Sequence, residues 1–149
     1  MLNSTDELDK TNIKYDLVII PEDVHTVEDV QKACNCTKQV VIKSLLFVGH
    51  EPVMVLMPGD KQVDLIKLKE LVNDPALKMA KPEEVIELTG YKVGTVSPFG
   101  LSGIVEIADA SIKTLSELIV GSGKSDTLIR IPAAEFQKVY KGRFESVAS

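Results

Sequence analysis

Tryptophan is absent from the 149 residues, and aromatic side chains make up only 5% of them. A core built here therefore rests on aliphatic packing, for which a hydrophobic fraction of 44% suffices, and wholesale disorder is excluded. Cysteine is scarce too: Cys34 and Cys36 are the only two, and one intervening residue makes an intrachain bridge a poor fit. No CxxC redox motif occurs. His25 and His50 are the only histidines and stand apart from the cysteines, so a structural metal is not expected. No run reaches the roughly 18 apolar residues that a membrane span needs. Residues Met1–Lys10 are polar with mixed charge, unlike a secretory or basic targeting segment. A cytoplasmic protein without a membrane partner is the expectation. Basic charge is also short, with 17 Lys and Arg against 22 Asp and Glu and a formal net charge of -5. That argues against a broad nucleic-acid coat while leaving room for a local positive pocket.

What remains fits one domain over residues 1–149, with 1–10 as a short or flexible segment. Ile13–Ile20 alternates in part and reads as a strand, and Pro21-Glu22-Asp23 turns the chain. Thr26 with Asp29 has capping-box spacing ahead of a helix whose apolar positions are Val27, Val30, Ala33 and Cys34. Val40–Val48 and Pro52–Met57 read as a hairpin. Val63–Val72 reads as a helix, and Lys81-Pro82-Glu83-Glu84 opens another that Gly90 stops. Val93–Leu101 reads as a shaped loop. Strands are expected at Ile104–Ile107, Leu118–Val120 and Thr127–Ile131, and a last helix at Ala133–Tyr140. Elements mixed in this order predict an α+β domain: a mixed, predominantly antiparallel curved sheet with short flanking helices.

Lys43 is the residue that asks for an explanation, because an unpaired ammonium inside an apolar strand is costly to bury. Two readings stay open at this stage. Its stem covers apolar surface while its head reaches water, or a rigid strand presents it to a phosphate or carbonyl of a ligand. Gly94 and Gly100 allow close backbone approach around Pro98, which lacks an amide donor, and free amides in such a loop can hold developing negative charge. Ser97 has no GxSxG setting and reads more readily as a local backbone cap than as a nucleophile. Gly121-Ser122-Gly123-Lys124 lacks the rest of a phosphate-loop motif, and GxGxxG is absent. Gly121 and Gly123 then shape a turn near the pocket. His25 precedes a helix cap but has no visible partner. Asp109 is either an ordinary strand-end carboxylate or a partner for Lys43. Glu106, in GIVEIAD, is expected to be exposed.

The run HTVEDVQKACNCTKQVVIKSLLFVG, then VLMPGDKQVDLIKLKEL and VIELTGYKVGTVSPFGL, resembles the YbaK/prolyl-tRNA synthetase-associated domain family. These are aminoacyl-tRNA editing domains, free-standing or inserted in prolyl-tRNA synthetases, and the likeness covers His25 to about Ala134. It implies hydrolysis of the ester between a wrongly attached amino acid and the terminal adenosine of tRNA, without metal or organic cofactor. It also implies catalytic roles for Lys43, set in KSLLF, and for Gly94, Ser97 and Pro98 in the loop around the aminoacyl group. Substrate contacts are implied at Thr26, Thr95, Val96, Gly121 and Gly123, and the residues read for themselves add His25, Phe99, Gly100 and Asp109 as expected substrate contacts. The expected partners are the acceptor end of misacylated tRNA, most plausibly Ala-tRNA(Pro) or Cys-tRNA(Pro), and prolyl-tRNA synthetase. The rival expectation is a non-catalytic module that binds a tRNA acceptor end or a synthetase. Lys38, Lys43, Lys61, Lys81 and Lys92 are the candidates for a basic patch.

Overall fold

The computed structural model describes residues 4–24 and 26–149. In chain order it runs through helix α1 (Ser4–Lys10), strand β1 (Asp16–Ile19), helix α2 (Val27–Cys34) and a 3-10 turn at Lys38–Val40. The hairpin β2 (Ile42–Val48) and β3 (Val53–Pro58) follows, then α3 (Leu65–Val72), β4 (Lys78–Met79) and α4 (Pro82–Thr89). The second half carries β5 (Val105–Asp109), a 3-10 turn at Ala110–Thr114, β6 (Glu117–Gly121), β7 (Thr127–Pro132), α5 (Ala133–Val139) and β8 (Arg143–Glu145). Where a short or flexible segment is expected over 1–10, α1 forms and buries Leu8 completely.

The mixed sheet is realised as two. One has the order β1-β7-β6, all antiparallel; the other has the order β4-β2-β3-β5-β8, in which β5 and β8 run parallel to their neighbours. A bridge between Val41 and Ile119 brings the two together beside the start of β2. Among the described residues, no helix is long and apolar enough to cross a membrane.

Strand β3 is buried at all six positions because both of its faces are covered. Alternation sends Val53, Val55 and Met57 towards Phe47, Leu68 and Ile107. The intervening residues face the other way: Met54 meets Leu46, Val85 and Val96, and Leu56 joins Ile42, Phe99, Ile112 and Phe136. Few as the aromatics are, four of them gather here. Phe136 lies edge-on to Phe99 at 5.9 Å and stacks on Tyr140 at 4.9 Å, while Phe144 meets Tyr140 at 5.6 Å.

Local chemistry explains the helix ends. The Thr26 hydroxyl accepts the Asp29 amide at 3.1 Å, so the cap read from the sequence forms. Pro82 occupies the first turn of α4, Glu84 reaches back to the Lys81 amide at 2.9 Å, and Gly90 closes the helix at φ 80°. Asp64 caps α3 through the amides of Ile66 and Lys67.

Asp109 sits at the end of β5 and fastens the C-terminal chain. Its Oδ1 accepts the amides of Val147 at 3.0 Å and Ala148 at 3.1 Å, while Oδ2 accepts the Ser111 amide at 3.1 Å and the Ser111 hydroxyl. Burial pushes this carboxyl up, but the Ser111, Val147 and Ala148 donors outweigh it and hold it below the usual aspartate value. Its stabilisation is therefore present above the unfolded-state pKa of about 3.9 and is lost as pH falls through the lower folded value. Asp109→Ala should cost about 2–4 kcal/mol in urea unfolding at neutral pH, since buried amides lose their acceptor. The gap to wild type should narrow below about pH 4. An unchanged urea midpoint at neutral pH would show that this carboxylate fastens nothing.

Candidate active site

Where β2 leaves the bridge between the sheets, a cavity of about 320 Å³ opens between α2, β2, β6 and the 93–96 segment. Val27, Val30, Val41, Ile119, Val120 and Leu128 give it apolar walls. Thr26, Lys43 and Ser44 add the polar side chains, and Lys43 is the only titratable group among its described lining residues. Gly94, Val96 and Gly121 close the remaining side.

Lys43 stands opposite Met57 in the β2–β3 register, and its Nζ donates to the carbonyl of Lys61, in the turn beyond β3. Burial lowers its pKa from the usual lysine value, while Asp60 and Glu28 pull in the opposite direction. An ammonium that is partly desolvated and tied to one carbonyl is a preformed donor for an anionic or carbonyl oxygen. Of the lysines considered for a basic patch, Lys43 reaches the backbone of Lys61, and Lys38 pairs with Glu28 at 3.6 Å.

The 93–101 loop is held from behind. Phe99 is only 3% exposed and is packed on Phe136, so it anchors the loop in the core and does not face the cavity. Burying that ring is worth roughly 1.5–3 kcal/mol. Ser97 is wholly buried, and its hydroxyl accepts the Phe99 amide at 3.2 Å. That is the local cap, and a buried hydroxyl in this role is not placed as a nucleophile. Pro98 and Gly100 lie behind the loop, around a void of about 10 Å³ that they share with Glu106. Thr95 is buried too, with its hydroxyl on the Lys92 carbonyl at 2.8 Å.

Two contacts fasten the loop to the end of β6. The Gly123 amide donates to the Thr95 carbonyl at 2.7 Å. At Gly121 the backbones come so close that a Cβ would lie 2.4 Å from the Val96 carbonyl oxygen and 2.9 Å from that of Thr95. Only a residue without a side chain permits this approach.

Of the residues singled out in the sequence, Thr26, Lys43, Gly94, Val96 and Gly121 meet around one cavity. Thr95 and Gly123 support it from outside the lining. Ser97, Pro98, Phe99 and Gly100 form the loop's anchored rear, and Asp109 is spent on the C-terminal chain instead of Lys43. His25 lies outside the described residues. The sequence reading missed the apolar wall from Ile119, Val120 and Leu128, because only the meeting of the two sheets brings those strands to Lys43.

Residues 21–139 match the family described as aminoacyl-tRNA editing domain. The proline–tRNA ligase of Pseudothermotoga lettingae is 38% identical over 104 residues, which are 69% of this chain and 18% of the ligase. That of Nitratidesulfovibrio vulgaris is 39% identical over 108 residues, 71% of this chain and 19% of the ligase. The chain thus spans about a fifth of the length of these curated relatives. A crystal structure described as a candidate trans-editing enzyme for prolyl tRNA synthetase superposes with a TM-score of 0.86 at 26% identity, covering 100% of this chain and 99% of that one.

The close approach at Gly121 is testable without substrate. Gly121→Ala forces a methyl against two carbonyl oxygens and should cost about 1–3 kcal/mol, read as a lower melting temperature. The Gly94 and Val96 amide resonances should move with it. Wild-type melting and unshifted loop amides would contradict the packing described here.

Proposed function

The chain belongs to the aminoacyl-tRNA editing domain family, and we propose on that premise that it is a trans-acting deacylase of misacylated tRNA. Alanine or cysteine on tRNA(Pro) is the substrate we assign. The relation to proline–tRNA ligases and the likeness to a candidate trans-editing enzyme support the choice of tRNA. The observation that carries the reading is Lys43 on a rigid strand, sharing a small, mostly apolar cavity with the backbone of Gly94 and Val96.

In this reading the terminal ribose and the aminoacyl group enter the cavity while the RNA helix stays outside. Lys43 exchanges the Lys61 carbonyl for an oxygen of the acceptor end and fixes its orientation. A water oxygen adds to the ester carbonyl carbon, and loop amides around Gly94 are the candidate donors to the developing oxyanion. The bond from that carbon to the ribose oxygen then breaks, the ribose oxygen takes a proton, and free amino acid and tRNA leave. No acidic, imidazole or thiol side chain is among the described lining residues. A substrate group, the neighbouring ribose hydroxyl or a side-chain thiol, therefore activates the water in this scheme. Lys43 need not act as a base. A fleeting encounter with an acceptor end suits a chain with net charge -5 better than a broad RNA interface does.

A deacylation time course on Ala-tRNA(Pro), Cys-tRNA(Pro) and Pro-tRNA(Pro) tests this, with Lys43→Ala beside wild type. One mischarged substrate should be lost rapidly and Pro-tRNA(Pro) spared. The variant should keep its circular dichroism and lose at least about tenfold in rate. Three substrates that stay charged would sink the tRNA(Pro) deacylase reading and favour a module that only binds an acceptor end, or a different tRNA.

A further inference from the structure

Glu106 is a strand residue with no part in the cavity just described, yet it is not the exposed glutamate its sequence context suggests. Its Oε1 is buried with no hydrogen-bond partner, and the Tyr140 hydroxyl is buried with none as well. Backbone and ring crowd together at Gly142, where a Cβ would lie 2.4 Å from the Tyr140 hydroxyl and 2.5 Å from the Glu106 backbone carbonyl oxygen. Glu106 also borders the 10 Å³ void behind Pro98, Phe99 and Gly100. On its other side it lines an open cleft of about 740 Å³. The carboxyl is thus a partition between solvent and the rear of the loop whose front faces Lys43.

We propose that Glu106 is a positioning residue: as a neutral acid it completes the packing of Tyr140 behind Pro98–Gly100, and as a carboxylate it draws solvent into that seam and loosens the loop carrying Gly94 and Val96. The groups around it set the balance between the two forms. Its partner across β3 is Met54, which offers no charge. The loop segment over the void carries no titratable side chain. From the end of α5 comes Tyr140, whose hydroxyl burial and Glu106 together push above the usual tyrosine value. Lys141 favours the ionised form, and across the cleft stand His50, Glu51, Asp74 and Arg143. Arg143 lies 3.7 Å from Glu145, and Asp74 accepts the His50 amide at 2.7 Å. Burial outweighs Lys141 and pushes the Glu106 carboxyl up to about 7. Removing its charge removes the cost of holding an unsatisfied carboxylate in the seam.

The activity arm of the test rests on the deacylase reading; the spectroscopic arm does not. With uncatalysed ester loss subtracted, the rate ratio of Glu106→Gln to wild type should be within about twofold of unity at pH 6. It should rise to about tenfold at pH 8, where about one-tenth of a carboxyl titrating near 7 stays protonated. A ratio constant with pH overturns the proposal. In the free protein, the Gly94 and Gly100 amide shifts should titrate with the Glu106 side-chain carboxyl carbon in wild type and stay flat in Glu106→Gln. His50→Gln, which removes the imidazole across the cleft, should leave that midpoint in place. Loop amides indifferent to the Glu106 carboxyl overturn the proposal even if no aminoacyl-tRNA is hydrolysed. Should Glu106→Gln fail to fold, the wild-type and His50→Gln titrations decide the matter alone.

Discussion

Close approach of the 94–100 segment to the end of β6 is the constraint on which the cavity depends. Gly121 sets it by offering no side chain, and the Gly123 amide locks it on the Thr95 carbonyl. Phe99 then drives the rear of the loop into the aromatic cluster around Phe136. Pinned at front and back, a segment rich in glycine holds one shape without regular secondary structure. Its order comes from neighbours; the glycines only make that shape accessible. Loop amides are useful against a developing charge only when they are fixed beforehand, so this double anchorage is what gives an amide-based site chemical meaning.

Lys43 depends on a different part of the fold. Its strand is paired on one side by β3, which is buried on both faces, and is joined to the other sheet at the Val41–Ile119 bridge. The position is therefore rigid, while the Lys61 carbonyl keeps the ammonium partnered. The contact lets burial weaken the cation without abandoning it. Flexible on its stem and fixed at its Cα, the lysine can trade one oxygen for another at little reorganisation cost.

Much of this was legible in the sequence for local reasons. The hairpin of β2 and β3, the Thr26 cap, the Pro82 start and Gly90 stop of α4, and the irregular 93–101 loop each follow from neighbouring residues. Lys43 stood out because a charge interrupts an apolar run. Long-range facts were hidden. Nothing local says that Ile119, Val120 and Leu128 wall the cavity, or that Phe99 turns inward while Gly94 turns out. The short strands β4 and β8 were missed because two or three residues carry too little alternation, and each exists by pairing with a neighbour already formed. Helix α1 was overlooked because a polar stretch showed only Leu8 as its inward anchor.

Glu106 and Asp109 show most sharply where sequence reasoning stops. They lie three residues apart on β5, so alternation puts them on opposite faces, but it does not say which face supplies donors. Asp109 finds the Val147 and Ala148 amides together with both donors of Ser111, and its carboxyl is held below its usual pKa. Glu106 borders the void at the rear of the loop, its Oε1 finds no donor, and burial pushes it up to about 7. The same functional group is a charged clasp at one position and a near-neutral acid at the other. The difference is fixed by chain that arrives from far along the sequence: amides of the C-terminal segment reach one carboxyl, and residues at the end of α5 close over the other. The partners that decide their chemistry are supplied by the packing, not by the strand that carries them.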